Sequence, residues 1–79
     1  MNEKYMKSLN EGEQSLVQWQ FGMNGSFFTG LWDAIKNADG QNMSKLSLAY
    51  PEHVEAFRRF ANEEDYWVNM LRELRKPNN

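Results

Sequence analysis

The sequence predicts an all-α domain, built as a small bundle of four or five short helices. Apolar residues recur at steps of three and four residues in several segments, which is the spacing of a single helix face. Glycine, asparagine and proline separate those segments at intervals that suit short helices. The 79 residues are enough for one domain, and a chain this short buries only about 60% of its extended surface. We therefore expect self-association to complete the bundle, giving a homo-oligomer.

Residues 1–25 are interpreted as an N-terminal helical arm. Tyr5, Met6 and Leu9 have helical spacing, so a short amphipathic helix is predicted there, with a frayed segment as the alternative. Gly12 lies in a polar run and either breaks the next helix or costs it about 1 kcal/mol relative to Ala. From residue 15 onward, apolar side chains occupy two helix faces, which indicates two packing partners. These side chains are Leu16, Trp19 and Met23 on one face and Val17 and Phe21 on the other.

Residues 26–76 are predicted to form the core helices, and residues 77–79 a loose tail. Two glycines and an asparagine at residues 22–25 end the preceding helix, and Ser26 is the N-cap candidate for the next one. Gly30 within that next helix either permits the close approach of another helix or is simply tolerated. The apolar stripe of this helix follows the i, i+3, i+4, i+7 rule and consists of Phe28, Leu31, Trp32 and Ile35.

A sharp corner between two helices is predicted at Tyr50 and Pro51. Asp39 and Gly40 signal a turn, and Asn42 is the N-cap candidate for the helix that follows. Pro51 disfavours the α conformation for Tyr50 and suits the first position of the next helix. The last two helices are separated by a break at residues 62–65, and each carries an apolar stripe. These stripes are Val54, Phe57, Phe60 and Ala61, and then Trp67, Met70, Leu71 and Leu74.

The composition limits the classes of function. The absence of cysteine excludes disulfides and thiolate metal sites and fits a reducing compartment. Nine basic and eleven acidic residues give a net charge of −2, which disfavours bulk binding of nucleic acid. No apolar run is long enough to span a membrane, and the polar N-terminus lacks the apolar core of a secretion signal. We therefore expect a cytoplasmic protein that has no membrane partner.

No catalytic residue, metal site or cofactor is predicted. His53 is the only histidine, and it is expected at the surface near the start of its helix, without the base and nucleophile that hydrolysis needs. Gly22, Gly25 and Gly30 lack the neighbouring strand and lysine of a phosphate loop. The acidic residues 63–65 match no calcium loop and are interpreted as a solvated capping cluster.

Aromatic residues are the first candidates for a binding surface. Eleven of the 79 residues are Phe, Trp or Tyr, and three of these are Trp, which is many for so small a core. Each ring either fills the core or offers its surface to a partner. We place a candidate aromatic patch for a protein partner at Trp19, Phe21 and Phe27.

Basic residues of the last two helices are the second candidates. In one interpretation they form a solvated face paired with Glu55 and Glu73, and in the other they bind an anionic ligand or an acidic protein. For a nucleotide ligand, arginines would hold the phosphate while Trp67 stacks on the base. The basic residues are Arg58, Arg59, Arg72, Arg75 and Lys76, of which the first three are the candidate site residues together with Trp67.

The turn at residues 39–42 also permits an alternative function, a small regulatory protein with a helix-turn-helix-like DNA contact. The helix after the turn would enter the major groove. Its exposed face, however, offers only one cation, so the charge needed for phosphate contacts is weak. The residues of that face are Gln41, Ser44, Lys45 and Ser47.

Three motifs in the centre of the chain carry a family resemblance. They are an aromatic-leucine helix, F-x-x-L-W-x-A-I, at 28–35, an A-D-x-x-N turn at 38–42, and A-Y-P-E-x-V-E-A-F at 49–57. With these motifs, residues 27–60 resemble a group of very short phage and prophage proteins of uncharacterised function. The resemblance implies a shared fold and an accessory product of a mobile element, acting in the bacterial host cytoplasm. We therefore expect a non-enzymatic counter-defence inhibitor that sequesters a host protein or an anionic signalling nucleotide.

Overall fold

The computed structural model describes residues 1–77, which form six helices and no strand. The predicted all-α class is confirmed. The predicted number of four or five helices is too low, because the segment before Gly12 forms a helix of its own and not a frayed segment. The predicted break before the last helix is present, at Glu63. None of the six is long and apolar enough to cross a membrane. The helices are α1 (Glu3–Ser8), α2 (Glu11–Gln20), α3 (Ser26–Asn37), α4 (Gly40–Ala49), α5 (Pro51–Asn62) and α6 (Glu64–Leu74).

Helix α5 lies at the centre and packs against α2, α3, α4 and α6, with its largest contact on α2. Leu16 and Val17 are adjacent in α2 and are both fully buried, but they belong to different apolar clusters. The two-faced pattern predicted for α2 is therefore confirmed for Leu16 and Val17, whereas Met23 and Phe21 lie beyond the end of α2 and are exposed. One cluster consists of Leu16, Leu31, Trp32, Ile35 and Ala56, and the other of Val17, Met70 and Leu74.

The N-terminus is held against the end of α6. The side-chain oxygen of Asn2 accepts a hydrogen bond from the Tyr5 N–H at 3.0 Å and so caps α1. The backbone N–H of Asn2 donates to the carbonyl oxygen of Leu74 at 2.8 Å. Together with the buried residues of α2, these bonds place residues 1–25 in the same packed core as residues 26–76. Of the predicted loose tail, residues 78–79 lie outside the described residues.

Two predicted helix caps are wrong. Helix α4 begins at Gly40, and its N-cap is Asp39, whose carboxylate accepts a hydrogen bond from the Asn42 N–H at 2.8 Å. Asn42 cannot be the cap because Asp39, three residues earlier, already satisfies a free N–H of the first turn. Helix α3 begins at Ser26 itself, and Gly25 occupies the N-cap position.

Two other boundary predictions are confirmed. Pro51 is the first residue of α5, where its missing N–H costs no helical hydrogen bond. Gly22, just after α2, has a φ of 67°, the left-handed conformation that glycine adopts without strain. The two corners of the chain therefore arise from local sequence.

Gly12 sets the distance between α2 and α5. It neither breaks α2 nor lies at its surface, but is buried against the start of α5. A Cβ atom on Gly12 would overlap the backbone carbonyl group of Glu52 and would lie 2.5 Å from the amide nitrogen of His53. Space beside Gly30 is open, so the close approach considered for Gly30 does not occur there. The close helix contact is made at Gly12.

We expect Gly12→Ala to lower the free energy of unfolding by about 1–3 kcal/mol, because the added methyl group forces α2 away from α5. The loss would occur although Ala is the better helix former. The matched control is Gly30→Ala, which should raise stability by up to about 1 kcal/mol, since the Cβ enters open space. Urea unfolding of both variants measures the difference, and equal effects at the two positions would contradict the contact.

Candidate functional site

Aromatic side chains in the described part of the chain form a continuous row of ring contacts, which we call the ring series. At its centre the indoles of Trp19 and Trp32 are stacked, with centroids 5.1 Å apart and planes within 7°. Trp19 also contacts Phe57 and Phe60 at 6.4 and 6.1 Å, and Trp32 contacts His53 at 5.7 Å. Helices α2, α3 and α5 therefore meet at this stack.

Trp32 is fully buried, and its indole nitrogen has one specific partner. The Nε1–H group donates a hydrogen bond to the hydroxyl oxygen of Ser15 at 3.0 Å, and Ser15 is itself buried. A buried N–H group without a partner would cost about 1–3 kcal/mol. The bond therefore fixes how α3 lies against α2.

One end of the ring series opens onto an apolar surface beside α6. Phe60 contacts Trp67 at 6.2 Å, and Trp67 contacts Phe21 at 6.3 Å. Phe21 is 47% exposed, and Val68 is 50% exposed. A groove of about 350 Å³ runs beside these residues, lined by Met1, Phe21, Leu71, Leu74 and Arg75. We define the α6 patch as Met1, Phe21, Trp67, Val68 and Leu71.

The other end of the ring series opens at the start of α5. The ring of Phe28 lies parallel to that of His53, at 5.7 Å and 8°. Phe27 contacts the edge of Phe28 at 5.1 Å and the ring of Tyr50 at 6.4 Å. Phe27 and Phe28 both remain exposed. The series is thus covered in the middle and open at its two ends.

Trp19, Phe21 and Phe27 occupy different parts of the ring series. Trp19 is half-buried at its centre, Phe21 lies at the α6 end, and Phe27 lies at the α5 end. Phe21 has Trp67 as its ring neighbour, so the structure brings together one residue from each of the two predicted sites. Val68 and Leu71 of the α6 patch were not among the candidates, because their exposure depends on how α6 packs.

Arg58 and Arg59 are both paired with carboxylates of their own chain. Arg58 donates from Nε to Glu55 at 2.9 Å, and this hydrogen bond lowers the pKa of the Glu55 carboxyl group. Arg59 donates from Nε to Glu63 at 3.0 Å. A nucleotide phosphate would have to compete with these carboxylates for the guanidinium groups.

The ring beside Arg59 is that of Tyr66, whose centroid lies 4.2 Å from the guanidinium carbon. Tyr66 donates its hydroxyl proton to Glu13 at 2.7 Å, and burial together with this bond raises the pKa of Tyr66. Trp67, the ring predicted to accompany the arginines, packs on Phe21 and Phe60 instead. The remaining candidate, Arg72, is exposed and donates to the side chain of Asn69 at 3.1 Å.

His53 was expected at the surface, and that expectation is wrong. The side chain is only 6% exposed and lies among the rings of Phe28, Trp32 and Tyr50. It is covered because α2 crosses the first turn of α5 at Gly12. The sequence did indicate this burial. Residues 53, 56, 57 and 60 follow the i, i+3, i+4, i+7 spacing of one helix face, whereas the predicted stripe at residues 54, 57, 60 and 61 follows it less well.

Burial also changes the acid–base behaviour of His53. Desolvation lowers the pKa of its imidazole, and the nearby carboxylates of Glu52 and Glu11 oppose this shift without reversing it. Within residues 1–77, the imidazole forms ring contacts but no hydrogen bond. It therefore stays neutral near pH 7 with an unused acceptor nitrogen.

The helix-turn-helix interpretation concerns α3 and α4. Helix α4 packs mainly on α5, and it carries a single cation, Lys45. An opening of about 400 Å³ lies between α3 and α4, lined by Ala34, Asn37, Ala38, Asn42, Lys45 and Leu46. This surface adds no positive charge beyond Lys45, and the DNA contact stays a prediction.

Comparisons of the chain with family models, with curated proteins and with solved structures find no match. The likeness of residues 27–60 to short phage proteins therefore stays a prediction. The two open ends of the ring series are the candidate binding surfaces of the described residues.

Acidification should destabilise the protein through His53. Above its ordinary pKa of 6.5 the imidazole is neutral in both states, so it adds no pH dependence. Below that pH the unfolded chain takes up a proton that the folded chain binds only at lower pH, so the free energy of unfolding falls. We expect His53→Gln to remove this part of the decrease in the free energy of unfolding, measured by urea unfolding between about pH 7.5 and pH 5.5. Equal slopes in both proteins would contradict the assignment.

Proposed function

We propose that this protein acts by binding and not by catalysis, and that the α6 patch is its contact surface for a protein partner. The observation that carries the proposal is the exposure of large apolar side chains around one groove, lined by Met1, Phe21 and Leu71, with Val68 three residues before Leu71 on α6. Met1 is 61% exposed, Val68 50% and Phe21 47%, and half-buried Trp67 and Leu71 join them. Contiguous apolar surface of this kind commonly marks an interaction site.

The chemistry of the α6 patch suits a protein partner. Its centre is aromatic, with Trp67 and Phe21 in contact, and Arg75 lies at the rim of the adjoining groove. Aromatic residues and arginine are enriched where protein interfaces are most deeply buried. Phe60 supports Trp67 from behind at 6.2 Å, so binding would cost little side-chain entropy.

The proposed partner is a component of the bacterial host, and the proposed role is a counter-defence inhibitor in the host cytoplasm. The resemblance of residues 27–60 to short phage proteins supports this role. Of the two predicted targets we favour a host protein over an anionic nucleotide. Arg58 and Arg59 are already paired with Glu55 and Glu63, whereas the apolar surface of the α6 patch is exposed.

Self-association is the second use that the α6 patch supports. A two-fold axis would bring the patch of one copy against the same patch of another, covering Phe21 and Val68 in both. This arrangement would supply the burial that a chain of 79 residues lacks alone. A homodimer and a host complex would then compete for one surface.

The test compares a double variant of the α6 patch, Phe21→Ser with Val68→Ser, with a control at the other end of the ring series, Phe27→Ser. Phe27 is 62% exposed, so the control removes a similar exposed ring. We expect the double variant to lose both self-association, measured by light scattering over a range of concentrations, and capture of a protein from bacterial lysate. The control should keep both.

Two results would overturn the proposal. One is a wild-type protein that stays monomeric and captures nothing specific. The other is a Phe27→Ser variant that loses binding as completely as the double variant. Thermal unfolding of each variant shows that any loss of binding does not come from a loss of folded protein.

A further inference from the structure

We propose that the cleft at the start of α5 binds an alkylammonium cation, the group that ends a lysine side chain or a polyamine. We call this site the cation cleft and define it by Glu11, Phe28, Tyr50, Glu52 and His53. It lies at the opposite end of the ring series from the α6 patch. The inference therefore does not rest on the proposed function.

The cation cleft consists of two adjoining openings. The larger has a volume of about 310 Å³ and the smaller about 170 Å³, and both are lined by Glu11, Phe28 and His53. The larger opening is also bounded by Ala49 and Pro51, which add apolar surface beside the rings. An alkyl chain with a charged end matches this combination, because its stem and its head need different surroundings.

The charge of the cation cleft is negative. Glu11 and Glu52 line the larger opening, and no lysine or arginine lines either opening. Within residues 1–77, neither carboxylate takes part in an ion pair or a side-chain hydrogen bond. Each lies in the first turn of its helix, where only the positive helix end offsets its charge. With no cationic side chain at the site, the remaining negative charge favours a cationic ligand.

The aromatic walls favour the same ligand. Phe28 and Tyr50 both contact the His53 ring, the first in parallel at 5.7 Å and the second edge-on at 5.6 Å. These contacts hold the rings at fixed angles around the opening. The face of an aromatic ring attracts a cation, and sites that recognise organic ammonium groups are commonly built from such rings beside carboxylates.

His53 is the observation that points to a ligand independently of the carboxylates. The His53 side chain is only 6% exposed. It lines both openings and has no hydrogen-bond partner in the described part of the chain. In the described residues no fully covered side-chain nitrogen or oxygen lacks a partner, so the unbonded imidazole nitrogens of His53 reach solvent at the openings that the residue lines. A neutral imidazole has one acceptor nitrogen, and an ammonium group has donors but no acceptor, so the two are complementary.

A metal ion suits this site less well than an organic cation. In residues 1–77 no three side chains of the metal-ligating types are close enough to hold one. The rest of the wall is ring and aliphatic carbon from Phe28, Tyr50 and Pro51, which a metal ion does not use. An alkylammonium ligand would use both the acceptors and the apolar wall.

The test is a titration of the full chain with n-butylammonium chloride, at neutral pH and constant ionic strength, followed by the side-chain NMR signals of His53, Phe28 and Tyr50. We expect saturable shifts of these signals. n-Butanol has the same alkyl stem without the charge and should bind at least about tenfold more weakly, the factor equivalent to one charge-assisted hydrogen bond. Shifts that never saturate, or equal binding of the alcohol, would overturn the proposal.

Two variants locate the site. Glu52→Gln should weaken n-butylammonium binding about tenfold, because one carboxylate of the cation cleft is lost. Glu64→Gln is the matched control, since it removes the same charge from the exposed first turn of α6 and should leave binding unchanged. Equal weakening by both variants would mean that the cation responds only to net charge, and would overturn the site.

The natural source of the ammonium group is distinguished by two further probes. One is the capped peptide acetyl-Gly-Lys-Gly-amide, and the other is spermidine. Tighter binding of the peptide would identify a lysine of a protein partner, and tighter binding of spermidine a free polyamine. Saturable binding of neither probe would overturn the proposal. The α6 variants Phe21→Ser and Val68→Ser should leave all of these titrations unchanged, so the two proposals can fail separately.

Discussion

The burial of Trp32 is the constraint on which the rest of the structure depends. Its indole is fully covered, stacks on Trp19 of α2, and contacts His53 of α5. Because the ring is large and carries one N–H group, the surrounding helices must supply both a matching cavity and an acceptor. Ser15 supplies the acceptor, at 3.0 Å. The positions of α2, α3 and α5 follow from that single requirement.

The same requirement explains why the ring series is open at its ends. Trp32 and Trp19 use the interior that a small chain can provide, so rings further along the series lie progressively nearer the surface. Phe21 and Phe27 are the outermost, at 47% and 62% exposure. The two ends differ in chemistry, because apolar side chains surround Phe21 whereas carboxylates and His53 lie beside Phe28, which Phe27 contacts. We therefore assign them different ligands, a protein surface and an organic cation.

Much of the fold could be predicted because it depends on local patterns. Leu31, Trp32 and Ile35 of the predicted stripe are buried as expected, although its first residue, Phe28, is 37% exposed. Pro51 begins α5 as its lack of an N–H predicts. The role of Gly12 could not be predicted in this way. Whether a glycine is a defect or a contact depends on which backbone lies beside it, and Glu52 is forty residues away along the chain.

The candidate site was harder to predict than the fold for the same reason. The pairing of Arg58 with Glu55, one of the two interpretations considered for the basic residues, is confirmed and follows from helical spacing. The cation cleft, by contrast, joins Glu11, Phe28 and His53 from three helices. Helical periodicity shows which face of each helix is apolar, but it does not show which faces meet.

Solvent paramagnetic relaxation of the aromatic protons tests the central claim most directly. A soluble paramagnetic agent would be added to the protein at a concentration where light scattering shows a single species. The account predicts slow relaxation for Trp32, intermediate rates for Trp19, and fast rates for Phe27, with fast rates for Phe21 whenever that species is a monomer. Rapid relaxation of Trp32, or shielding of both Phe21 and Phe27 in a monomer, would contradict a ring series that is closed at its centre and open at both ends.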